Sequence, residues 1–304
     1  MQDFINWNDH EGVLHDVIGK FKVIDCKNCG FKHVIPIPNV KELEDVYRDS
    51  YYSNEKPQML EEHKKDLNWW NISFRERYDI FESIILENER RILDVGSGPG
   101  YFLLHGLERG WQTLGIEPSL QASKYSRDLG LEIIEDYFND ETIAELGNFS
   151  VVHLSYVLEH VPNPIKLIRQ SHSILNSGGI ICIVVPNEYN HLQNALRESK
   201  NFTPWWLAPP HHINYFDFNS LTKLLEKEGF EVFEKESTFP MEIFLLMGEN
   251  YIGNSRLGRD CHNLRKKFEL VLEETGLSKL KREFYKSLAN LGLGREVIIY
   301  AKKI

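Results

Sequence analysis

Residues 92–103 read Ile92-Leu93-Asp94-Val95-Gly96-Ser97-Gly98-Pro99-Gly100-Tyr101-Phe102-Leu103. An apolar run of the kind that forms a buried strand passes through an aspartate straight into three alternating glycines. Glycine enters left-handed backbone without a Cβ penalty, so this stretch can turn sharply and bring main chain close to a ligand. The helical pattern that follows, residues 101–109, points its free N–H groups at the same place. Spacing narrows the reading. The dinucleotide fingerprint is G-x-G-x-x-G, whereas here the third glycine comes one residue early and Tyr101 stands where that fingerprint wants glycine.

Outward from this stretch, short β-rich runs alternate with helical patterns. The runs are Arg91–Val95, Gln112–Ile116, 131–134, 151–155 and 179–185; the helices are 101–109, 120–129, 141–146 and 164–175, the last opened by Pro164 and followed by Ser177-Gly178-Gly179. Such alternation predicts a doubly wound parallel sheet, and in open α/β sheets ligands collect at the carboxyl ends of strands. A helix at 220–228, a strand at 230–236 and a closing strand at 296–301 follow. Between the last two lie an apolar entry at 241–247 and two amphipathic helices. Leu264, Phe268, Val271 and Leu272, then Leu277, Leu280, Phe284 and Leu288, recur at helical spacing and are expected as core stripes. Residues 1–85, rich in His and aromatics, read as an irregular appended module. The expected division is therefore 1–85, a core at 86–239, and a helical insertion with a final strand at 240–304.

G-x-G-x-G after an Asp-bearing strand resembles motif I of the class I S-adenosylmethionine-dependent methyltransferases. The resemblance implies a Rossmann-like seven-stranded α/β sheet with a small N-terminal module and a helical C-terminal insertion. It also implies S-adenosylmethionine as cofactor, its methionine end held by Asp94, Gly96, Gly98 and Gly100. Ribose recognition needs an acceptor that bridges two vicinal hydroxyls, and a carboxylate offers two oxygens. Glu117, in Leu114-Gly115-Ile116-Glu117-Pro118-Ser119, fills that role. After the third strand, Ile134-Glu135-Asp136-Tyr137 occupies the place where the family keeps a polar residue by the adenine, which assigns Asp136, with Tyr137 against the ring.

Two further segments resemble the subgroup of sugar and small-metabolite enzymes. One is Leu158-Glu159-His160-Val161-Pro162-Asn163-Pro164, preceded by Ser150 where the family commonly has Asp. The other is Pro209-Pro210-His211-His212-Ile213-Asn214-Tyr215-Phe216, where the similar sugar C-methyltransferases have Glu-His in place of His211-His212. Methyl transfer from a sulfonium is an in-line displacement governed by alignment, but a sugar hydroxyl must also lose a proton. A base with a pKa near neutrality suits that task. His212 and His160 are the candidates, one as base and the other as orienting group, with His211 for acceptor hydroxyls. His153, His172 and His191 read as structural, and Trp205 and Trp206 either stack on a sugar or pack as wall. The step requires no metal.

In the N-terminal module, Cys26-Lys27-Asn28-Cys29-Gly30 is half of a zinc ribbon, a turn that aims two sulfurs at one point. His10 and His15 are the upstream candidates for a Cys2His2 zinc site, against a metal-free module as the alternative; the similar sugar methyltransferases carry a second Cys pair that is absent here. The segment Tyr47-Arg48-Asp49-Ser50-Tyr51-Tyr52 matches one that closes over cofactor and substrate in that subgroup.

Composition bounds the partners. Across 304 residues, 35 Lys+Arg stand against 45 Asp+Glu for a net charge of −10, with no block of five like charges, so a nucleic-acid partner is not expected. Neither a membrane-length apolar run nor a secretory start is present, and four cysteines are too few for a disulfide scaffold. The expectation is a cytoplasmic methyltransferase of carbohydrate biosynthesis, acting on a hydroxyl of a sugar, nucleotide-linked sugar or sugar-linked metabolite. A sugar C-methyltransferase, a quinone-type acceptor, an NAD-dependent oxidoreductase and a non-catalytic binding protein are the alternatives.

Overall fold

The computed structural model of the chain describes residues 3–39 and 59–304. The N-terminal stretch, irregular by its sequence, is an antiparallel sheet of β1 (Phe4–Trp7), β2 (His10–Ile18), β3 (Phe21–Cys26) and β4 (Lys32–Ile35). Two-residue turns at Asn8-Asp9 and Gly19-Lys20 join the first three strands, with Asn8 and Gly19 at φ of 49° and 56°, the left-handed backbone that tight hairpins use. Phe21, Val23 and Cys26 are buried while Lys22 and Asp25 face out. Ile24, Cys26 and Ile35 form a small core against which Ile5, Trp7 and Cys29 pack. Three of the four strands have only four to six residues, too short for their alternation to stand out from a loop. Tyr51 and Tyr52 lie outside the described residues.

The expected alternation then appears. β5 (Arg91–Val95), β6 (Gln112–Ile116), β7 (Ile133–Ile134), β8 (Phe149–Ser155) and β9 (Leu175–Pro186) are interleaved with helices Tyr101–Glu108, Leu120–Asp128, Asp140–Ala144 and Pro164–Ile174. β10 (Asn214–Tyr215) adds to β4 of the first sheet. β11 (Phe230–Glu236) and β12 (Glu296–Lys303) complete a seven-stranded sheet in the order β11-β12-β9-β8-β5-β6-β7. β5 runs parallel to both β6 and β8. The chain winds one way to β7 and then returns to the other side of β5, so the switch point lies at the carboxyl end of β5. Six of the seven residues of β8 are buried, as a strand covered on both faces requires. No helix among the described residues is long and apolar enough to cross a membrane.

By contacts the chain forms two compact units. One comprises Met1–Ile37, Val184–Leu224 and Glu234–Ile299; the other comprises Pro38–Ile183, Leu225–Phe233 and Tyr300–Ile304. In the first, helices Ser255–Glu274 and Ser278–Asn290 correct the expected core stripe. Leu264, Phe268, Val271, Leu277, Leu280 and Phe284 are exposed, and the buried positions are Cys261, Arg265, Glu269, Lys281, Tyr285 and Ala289. The inward seam is polar but paired. Arg265 lies 3.1 Å from Glu269, the Tyr285 hydroxyl donates to Glu269 at 2.7 Å, and Lys281 lies 2.9 Å from Glu273. Pairing is what makes buried charge tolerable, and periodicity alone does not say which face of a helix turns inward.

In the second unit, helix Leu67–Glu82 packs on Tyr101–Glu108 through Tyr78, which is fully buried and donates to the Phe102 carbonyl at 3.2 Å. Gly106 makes the room, since a Cβ there would lie 2.1 Å from the Tyr78 hydroxyl oxygen. Alanine is the better helix former by about 1 kcal/mol, but overpacking costs about 1–3 kcal/mol. Gly106→Ala is expected to lose about 1–2 kcal/mol of stability in urea unfolding, with Tyr78→Phe in the same chain recovering part of it.

Candidate functional site

At the end of β5 the three glycines do what their spacing suggests. Gly96, Gly98 and Gly100 have φ of 70°, 54° and 74°, conformations that a side chain would strain. The N–H groups of Gly96 and Ser97 donate to the Ile116 carbonyl at 2.7 and 3.2 Å, and the Ser126 hydroxyl donates to the Gly98 carbonyl at 2.9 Å. A Cβ on Gly100 would lie 2.5 Å from Leu131. Glu117, just past β6, reaches into this loop. Its Oε2 accepts from the Gly98 N–H at 2.8 Å and its Oε1 from the Ser119 N–H at 2.9 Å. Burial pushes its pKa up to about 7, opposed by those two N–H groups, with Asp94 adding repulsion. Each oxygen retains a lone pair, so the carboxylate is oriented and still able to accept from a vicinal diol.

The structure thus gathers Gly96, Gly98, Gly100 and Glu117 around one loop, with Asp94 at the strand end that feeds it. Asp94 is buried, and its Oδ1 lies 2.7 Å from Nδ1 of His153. Asp136 is exposed in the turn after β7, where it accepts from the Tyr137 N–H at 2.7 Å and the Thr142 hydroxyl at 3.3 Å. A glycine cradle beside a preoriented carboxylate fits an adenosyl cofactor.

Each histidine expected as a base has a carboxylate beside it. In the second unit, His160 Nε2 lies 3.6 Å from Oε1 of the buried Glu159. Just before it, Tyr156 at the end of β8 has φ of 57°, a left-handed conformation that a bulky residue holds only under constraint, as functional loops often do. In the first unit, His212 Nδ1 lies 3.4 Å from Oε1 of the buried Glu188. Burial raises the Glu188 pKa and His212 opposes the rise. The backbone N–H groups of His211 and His212 both donate to the Ala208 carbonyl at 3.0 Å, and the Tyr215 hydroxyl donates to the His212 carbonyl at 3.0 Å. Sequence reasoning assigns no role to Glu188; the available signal is its place two residues past β9, where sheet folds put their functional groups. Trp206 is buried edge-on against Tyr189 and Trp205, at 5.3 and 4.9 Å between ring centroids, which is wall packing.

The N-terminal sheet brings His10, Cys26, Cys29 and His33 together, with one donor atom from each within 4.8 Å of all the others. His10 Nδ1 lies 3.7 Å from the Cys26 sulfur and 3.3 Å from the Cys29 sulfur. His33 Nδ1 is 2.9 Å from the Val34 carbonyl, which leaves a buried Nε2 with no hydrogen-bond partner among the described residues. Cys29 holds the Cys26 thiol well below its usual pKa, against the effect of burial, with His33 and His10 assisting. Two sulfurs and two nitrogens this close fit tetrahedral zinc. His15 is not in the set, and its Nε2 lies 3.8 Å from Asp25. Five residues along a strand turn a side chain to the opposite face, and the register shifts between Leu14 and Asp16, which makes His15 a bulge residue. The sequence signal for His33 is the continuation C-x-x-C-x-x-x-H.

Comparison with known proteins agrees with this architecture. The family model described as a methyltransferase domain matches residues 69–235. The ubiquinone biosynthesis O-methyltransferase of Actinobacillus pleuropneumoniae is 30% identical over 102 residues, which are 30% of this chain and 44% of that protein. The protein of the same name from Ruegeria pomeroyi is 28% identical over 153 residues, 48% of this chain and 62% of that one. The matches therefore span about half of these relatives' own lengths. A SAM-dependent methyltransferase from Archaeoglobus fulgidus shares the fold, with a TM-score of 0.53 at 19% identity over 84% of this chain and 100% of that one. Since more than half of the chain lies within the matched model, and the glycine loop sits at the switch point of the sheet, the chain belongs to the methyltransferase-domain family.

Proposed function

We propose that the chain transfers a methyl group from S-adenosylmethionine to a hydroxyl of a sugar or sugar-linked small molecule. The contact between the Gly98 N–H and the Glu117 carboxylate carries the cofactor half of this reading. It fixes a diol acceptor at the mouth of a glycine loop whose spacing departs from the dinucleotide pattern. When bound, the cofactor supplies a methyl group on a sulfonium. Asp94 and the loop glycines hold its amino-acid end, Glu117 accepts from the ribose hydroxyls, and Asp136 with Tyr137 flanks the base.

His212 takes the acceptor proton at Nε2. Its Nδ1–H is turned toward Glu188, which fixes the tautomer and stabilises the imidazolium that forms. His160, backed by Glu159, orients the acceptor, and His211 binds its hydroxyls. His10, Cys26, Cys29 and His33 hold a structural zinc ion in the N-terminal module.

A second reading comes from the names of the curated relatives, which would make the acceptor a phenolic hydroxyl of a quinone precursor. A phenol ionises near pH 10, as tyrosine does, and needs less help than a sugar hydroxyl. Carboxylate-backed histidines therefore favour the sugar.

Three outcomes test these assignments. Calorimetry should show binding of S-adenosylhomocysteine and none of NADH. The affinity should fall as pH drops below about 7, because a protonated Glu117 gives up part of its capacity to accept from the ribose. Glu117→Gln should weaken binding about tenfold or more and flatten that dependence; NADH binding instead would sink the cofactor assignment. His212→Ala should reduce turnover about 10²- to 10⁴-fold with S-adenosylhomocysteine affinity unchanged. This is measured as labelled methyl incorporated into nucleotide-linked sugars and, in parallel, into catechols; incorporation into catechols alone would select the second reading. Elemental analysis should find stoichiometric zinc that is lost in Cys26→Ser and His33→Ala and kept in His15→Ala; zinc-free wild-type protein would dismiss the metal.

A further inference from the structure

Asp94 has a partner that its motif does not foresee. β8 lies beside β5 in parallel register with His153 opposite Asp94, and opposed residues of neighbouring strands stand on the same face. Nδ1 of His153 lies 2.7 Å from Oδ1 of Asp94, with the two side chains only 2% and 5% exposed. The imidazole is stacked on Phe102 with ring centroids 4.0 Å apart and planes inclined by 27°, which holds it in one orientation. Its Nε2 is buried with no hydrogen-bond partner among the described residues. A ring nitrogen this close to a carboxylate oxygen, which only accepts when ionised, is the donor of the pair; burial lowers the His153 pKa, with Asp94 opposing. A valine or leucine would fill this place in a buried strand without orphaning a nitrogen. The hydrogen bond is what the histidine adds.

We propose that His153 is a positioning residue of the cofactor site, whose Nδ1–H fixes the rotamer of Asp94 and leaves Oδ2 to accept from the ammonium group of the cofactor's amino-acid end. The proposal rests on the S-adenosylmethionine reading. It predicts a loss confined to ligands that carry that end.

Calorimetry with two probes separates this from a general packing role: S-adenosylhomocysteine, which has the amino-acid tail, and 5′-methylthioadenosine, which lacks it. Wild-type protein should bind both. His153→Leu should weaken binding of the first by roughly ten- to a hundredfold, the range of a hydrogen bond to a charged group, and leave the second unchanged. His153→Asn, which restores an N–H toward Asp94, should recover part of the difference. Equal losses for both probes, or none for either, would overturn the positioning role. If His153→Leu does not fold, Asp94→Asn must show the same selective loss, and an unselective one is equally fatal. Wild-type protein that binds neither probe would overturn the cofactor reading itself, a result distinct from failure of the His153 assignment.

Discussion

The site is organised by a single buried carboxylate. Glu117 leaves water only because backbone N–H groups of Gly98 and Ser119 meet its two oxygens, and an ion without such partners would be too costly to bury. The dependence is mutual. Gly98 can aim its N–H at Glu117 only because it and its neighbours adopt left-handed backbone, which is why the glycines cannot be exchanged for other residues. One hydrogen bond thereby joins the ends of β5 and β6 and sets the loop geometry before any ligand arrives. A preformed site of this kind spares the ligand the entropy of ordering it.

What the sequence discloses follows from how local each cause is. The glycine loop, Glu117 and the parallel strands are legible because they rest on contiguous residues whose spacing has few structural solutions. The N-terminal sheet is not, since its alternation lasts only a few residues at a time. His33 and His15 differ by the pairing of β4 with β3 and by a bulge in β2, facts of register rather than of spacing. Glu188 lies 24 residues before the histidine it faces, and no local motif ties the two.

The helical insertion shows a different limit. Periodicity marks its apolar stripe correctly as a stripe, and the fold turns it outward because the opposite face carries Arg265 and Tyr285 paired with Glu269, and Lys281 paired with Glu273. A hydrophobic pattern reports that two faces differ. Which face goes inside depends on partners that come from elsewhere in the chain, and here charged residues supply one another's.

Among the described residues, an imidazole lies beside a buried carboxylate at three places, and the exposure of the ring separates them. His153 and Asp94 are both buried, with the side chains 2% and 5% exposed. With its ring enclosed beside the carboxylate, the imidazole is placed to act as a fixed donor to the acid, as proposed above. At Glu159 with His160 and Glu188 with His212 the acid is sealed, while the imidazoles are 17% and 26% exposed. There the imidazole meets solvent and can exchange protons with water, which the base role proposed above for His212 requires. The same chemical pair is thus enclosed on both sides in the first case and open at the imidazole in the other two.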